Sequence, residues 1–262
     1  MSLRRPNAFT TVRTIAALCL IAVPIQARAE VPPNGVAAMT TAYAAMDARA
    51  RQTRAKGTLP RWSVVSDRAV LEQVWNAPAI LGTPPYTAKD VPLLIGIGEQ
   101  QSAIYKTYVL FSANPTTLPD MAQNSTLFQD EITRASIMTT MTLAAEAEAI
   151  GDFIVHLPPD QMTDVRRQGL KGFRLGMLEL ISGFTLMLRS PSLTTDNRAL
   201  LIDSLAAEAP ALAAAAPRGD RSAFVATVNT VIPSLPPDRQ SKMAVFVKAM
   251  STDTCEGLCA IP

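Results

Sequence analysis

The fold this sequence predicts is an all-α bundle of about eight helices, with a long antiparallel hairpin over residues 127–189 at its centre. Three observations predict it. Aromatic residues make up only 5% of the chain while Ala, Leu, Met and Val abound, a balance that suits helix interiors better than sheets. No stretch sustains the period-2 alternation of a half-buried strand, and WSVVS at 62–66 is the one strand-like segment. Clusters of Pro, Gly and Asn cut the remainder into pieces of helical length.

The N-terminus, MSLRRPNAFTTVRTIAALCLIAVPIQARAE, reads as a signal peptide over residues 1–29. Arg4, Arg5 and Arg13 form its positive region, 14–25 its apolar run, and Ala27-Arg28-Ala29 supplies small residues for cleavage after Ala29. The run is too short for a comfortable membrane span. Leu18 before Cys19 is too large for a lipoprotein signal. The expected location is therefore periplasmic or secreted, with no stable membrane span after cleavage. Cleavage removes four arginines and no acid, so the 24 basic and 22 acidic residues of the whole chain become 20 and 22, a net charge of −2. That balance leaves no basic surface to attract nucleic acid.

The mature chain divides into a helical domain at 30–250 and a C-terminal tail at 251–262. Asn34 can cap a first helix that runs to about Lys56, ahead of the 57–60 break, and Ser66 a short one to about Asn76. The loop NAPAILGTPPYTAKD follows. Leu94, Ile97, Ile104, Tyr108 and Phe111 then recur at helical spacing over 91–111. After the breaks at Asn114-Pro115 and Leu118-Pro119, long helices are expected at 127–156 and 160–189. Shorter ones are expected at 195–214, 219–233 and 237–250. Leu157-Pro158-Pro159-Asp160, Leu193-Thr194-Thr195-Asp196 and Leu235-Pro236-Pro237-Asp238 share one pattern. Each reads as a helix start, with an acid placed against the positive end of the dipole.

Within the hairpin, Glu148, Asp152 and His156, the single histidine, lie four residues apart and stack on one face. Both acids share a sector with Ile137, Met141 and Val155, so they do not fall on a solvated face. On the next helix Arg166 lies between the directions of Phe173 and Met177. A turn at 157–159 would bring it level with 148–152, which predicts an Asp152–Arg166 ion pair with Glu148 in reach. The same cluster could instead form a ligand pocket, with an acid as base and Arg166 holding an anion.

Gly169, Gly172, Gly176 and Gly183 follow one edge of that helix, which suggests close approach of a neighbouring helix. With Phe173, Met177 and Phe184 they could alternatively border a groove for an apolar guest. In the tail, Cys255 and Cys259 are expected to pair in an oxidising compartment, a redox dithiol or copper site being the other readings. One histidine excludes a two-His metal site, and no calcium loop is present. Gly96-Ile97-Gly98 lacks the context of a phosphate loop. No metal, cofactor or catalytic signature is therefore expected.

Three functions compete on these readings. The first is a non-enzymatic binding or adaptor protein with a partner in the cell envelope. The second is a carrier or sensor of an apolar, lipid-like molecule. The third is a hydrolase-type enzyme built on Glu148, Asp152, His156 and Arg166.

Overall fold

The structure, a computed structural model, describes residues 31–261 apart from Pro33, Pro115 and Glu256. The expected signal peptide and its cleavage site lie outside the described residues. In chain order the helices are α1 (Gly35–Arg54), α2 (Val65–Val74), α3 (Ala77–Ile80), α4 (Val91–Val109), α5 (Met121–Leu127), α6 (Gln129–His156), α7 (Asp164–Met187), α8 (Thr195–Ala215), α9 (Arg218–Asn229) and α10 (Pro237–Met250). No strand occurs among the described residues. The chain is all-α, with the α6–α7 hairpin where the sequence placed it.

Several boundaries differ for local reasons. Ser66 does not cap α2: it lies inside the first turn, so WSVVS is a turn running into a helix. The loop after Trp75 contains α3, because the Asn76 side chain accepts from the Ala79 N–H at 3.3 Å and caps one turn. Asp120 does the same for α5 by accepting from the Gln123 N–H at 3.0 Å. Phe128, fully buried, then separates α5 from α6 by inserting its ring edge-on between Tyr108 and Phe111, with centroids 5.5 and 5.4 Å away. The start signals at Leu193 and Leu235 open α8 and α10, whereas Pro159–Gln161 forms only a 3-10 turn. The true N-cap of α7 is Thr163, whose hydroxyl accepts from the Arg166 N–H at 3.3 Å.

Helix α6 is the axis of the molecule. Ala144, Ala145, Ala147 and Ala149 are all buried, and these small side chains let α4 and α8 pack closely on two sides. Against this inner layer, α10 lies on α8, α1 lies on α4 and α2, and α9 bridges α7 and α10. Gly35 marks the tightest backbone approach, since a Cβ there would collide with the Ile80 carbonyl oxygen. Near α1 and α2 the acids are paired. Asp67, 3% exposed, takes Arg49 Nε at 2.6 Å and the Arg61 N–H at 2.9 Å.

The tail is anchored more firmly than its sequence suggested. The sulfurs of Cys255 and Cys259 stand at disulfide distance around a turn that packs Leu258 and Cys259 against α6 and α8. Arg174 of α7 donates to the carbonyls of Leu258, Cys259 and Ile261. Buried Arg221 of α9 holds Thr252 and the Thr254 carbonyl. These guanidiniums satisfy a segment whose carbonyls have no ladder of their own.

Candidate functional site

The expected polar cluster does not assemble around Arg166. Ser136 Oγ and Met187 Sδ lie 3.8 Å apart and fix the register of the hairpin. Sixteen residues on from Ser136 is Asp152, and sixteen back from Met187 is Lys171. The level of Asp152 is therefore more than a turn away from Arg166. The cause is the connection, which extends from Leu157 to Thr163 rather than ending at Pro159.

Arg166 instead donates through its guanidinium to the Gln161 carbonyl at 2.5 Å. Asp152 Oδ2 accepts from the Ala88 N–H at 2.9 Å, and its Oδ1 lies 3.1 Å from His156 Nδ1. Glu148 accepts from the Tyr86 backbone, which lowers its pKa, but burial has the larger effect and raises it. The two acids thus fasten the proline-rich loop between α3 and α4 onto α6. His156, more than half exposed, only pairs with its own turn.

The glycine row also has a different setting. A Cβ at Gly172, Gly176 or Gly183 would meet open space, so no helix is pressed against these positions. Helix α7 approaches α6 at few points. The gap is a cavity of about 250 Å³ between α4, α6 and α7.

Each helix contributes one face to it. Helix α4 brings Ile95, Gly98, Ser102 and Tyr105, with Gln101 beside them; α6 brings Thr139, Thr142, Leu143 and Glu146. Helix α7 brings Phe173, Gly176, Met177, Leu180, Gly183 and Phe184. Spacings of three and four residues align each set along its helix. Five of the residues the sequence singled out as a groove therefore border one space: Phe173, Gly176, Met177, Gly183 and Phe184. Gly169 and Gly172 do not. Tyr105 and Phe184 meet edge-on at one end, with centroids 6.2 Å apart. Exposed Glu99 and Glu179 edge the opening.

Glu146 gives this cavity its chemistry. Its residue is 6% exposed, and no donor or cation among the described residues reaches its carboxyl. Burial alone raises its pKa to about 8, so the group is mostly neutral at neutral pH. The facing residue is Gly98, where an added Cβ would stand 2.7 Å from Glu146 Oε1. Any larger residue there would displace the carboxyl. Glu131 is the contrasting case: also buried, it accepts from the Trp62 N–H at 2.5 Å and lies 3.4 Å from Arg61 Nε. One acid is held by the fold, and the other is left facing a cavity.

Two further oxygens on the lining helices lack partners but present no surface to the cavity. Gln101 commits its Nε2 to the Val74 carbonyl at 2.8 Å and to Met39 Sδ at 3.1 Å, which leaves Oε1 without a partner. The Thr139 hydroxyl is also uncommitted. A second hollow of about 450 Å³ between α6, α8 and the tail holds Glu148, already engaged by Tyr86.

Sequence reading missed Glu146. It sits in the run AEAEA beside Glu148, and no spacing rule separates the two. Only Gly98, on a helix 48 residues earlier, could have signalled the room made for it.

Fold and cavity together define a helical bundle with an apolar recess and one unpartnered acid inside it. In comparisons with known proteins, the chain matches no family, no curated protein and no solved structure.

Proposed function

We propose that this protein binds an apolar small molecule between α4, α6 and α7, as a carrier or sensor working outside the cytoplasm. The observation that carries the reading is the open space along the α7 glycines, walled by Met and Phe side chains and floored by an acid without a partner. Native interiors rarely leave a buried polar group unpaired without a reason, and ligand sites combine apolar walls with a few polar groups in this way. The volume corresponds to about eight waters of liquid at roughly 30 Å³ each, which suits a short-chain or single-ring guest. Export rests on the N-terminal pattern and on the paired Cys255 and Cys259. The hydrolase reading needed Arg166 beside the two acids, and it lies elsewhere. The envelope-adaptor reading keeps only its negative motivation, the lack of a catalytic signature.

Native mass spectrometry of protein purified from its own compartment tests the proposal. An adduct of small-molecule mass is expected on the parent and not on Gly176→Leu, whose side chain would fill the recess. A parent that carries no adduct and takes up no added octanol would overturn it.

A further inference from the structure

Resting on that reading, we propose that the guest is a primary amine with a short apolar body, its ammonium group seated at Glu146. The Glu146 carboxyl faces the cavity among apolar side chains, with the Ser102 and Tyr105 hydroxyls and Lys106 as the other polar groups that α4 contributes beside Glu99 and Gln101. No donor or cation among the described residues reaches Glu146; Gln101 Oε1 and the Thr139 hydroxyl also lack partners but are sealed off from the cavity, so recognition falls to the Glu146 carboxyl. An ammonium group carries three donors, no acceptor and a positive charge, which complements a carboxyl that has no cation of its own. An alcohol brings one donor. A carboxylate guest brings only acceptors and repels an ionised Glu146.

The charges near the opening agree in sign. Glu99 and Lys106 from α4 and Glu179 from α7 also line the cavity, so acids outnumber bases there even before Glu146 ionises. Helix α6 adds no other charge to the lining, and Glu208 of α8 interacts with Glu148. Proton balance follows directly. The ammonium arrives charged, the Glu146 carboxyl loses its proton to solvent, and a carboxylate–ammonium pair forms. With the carboxyl titrating at about 8, that ionisation costs little near neutral pH. An alkylammonium like that of lysine keeps its charge up to about pH 10.

The experiment is calorimetric titration of the full chain with octylamine, octanol and octanoate, on the parent, Glu146→Gln and Gly98→Ala. At about pH 7.5 octylamine should bind the parent at least tenfold more tightly than octanol, a preference that charge-assisted bonding supports. Its affinity should also rise by up to about tenfold per unit between about pH 6 and 7.5, while that of octanol stays flat. Glu146→Gln should remove both effects and keep octanol binding. Gly98→Ala, which moves the carboxyl, should weaken octylamine more than octanol. Equal binding of octylamine and octanol, or a preference for octanoate, would overturn the amine and leave the cavity reading intact. Failure of all three probes to bind the parent would overturn both.

Discussion

Replacing Glu146 by Gln should make the protein markedly less sensitive to alkaline pH. In the folded chain the carboxyl titrates at about 8, whereas in the unfolded chain it returns to about 4.5. Between those values the folded state holds a proton that the unfolded state has released. Stability therefore falls as pH rises, by about 1.4 kcal/mol for each unit within that window. It is unaffected below about 4.5 and levels off above about 8. From pH 5 to pH 8 the loss attributable to this one group is about 3 kcal/mol, a large part of the stability of a single domain. Glu131, Glu148 and Glu208 are shifted in the same direction, but they are common to parent and variant and cancel in the comparison. Urea unfolding of both proteins at pH 5 and pH 8 measures the difference. The parent should lose about 3 kcal/mol more than Glu146→Gln over this interval. Parallel pH profiles would refute the argument that the carboxyl is buried without a partner.

Arg166→Met should change stability by no more than about 0.5 kcal/mol, because the guanidinium only reaches a turn carbonyl; a loss of several kcal/mol in urea unfolding would restore the ion pair with Asp152. Gly172→Ala should stabilise by up to about 1 kcal/mol, since its Cβ meets open space and helix propensity improves, and a thermal melt checks it. Reducing Cys255–Cys259 should cost about 2 kcal/mol, the value for closing a five-residue loop. Arg174→Met should release the tail to protease even with the cysteines paired, because three carbonyls lose their donor together.

Much of the fold was legible in the sequence because helical periodicity and breakers are local signals. The eight expected helices and the α6–α7 hairpin follow from them. What was not legible depends on partners distant in sequence. Leu157-Pro158-Pro159-Asp160 resembles the starts of α8 and α10, yet Thr163 offers the cap, and the longer connection leaves Arg166 short of the acids, on the turn side of them. Glu148 and Asp152 looked misplaced because their partners are the backbone N–H groups of Tyr86 and Ala88, which no side-chain pattern records. The α7 glycines were legible as an edge, and their neighbour was not. A helix wheel cannot tell a close approach from a gap.

Carbon-13 NMR of the Glu146 carboxyl in labelled protein, with and without octylamine, reads out directly whether this acid lacks a partner until an amine arrives. The midpoint should lie near 8 in the free protein and move down by at least about one unit when the amine binds. A midpoint near the ordinary glutamate value, unmoved by octylamine, would contradict both expectations.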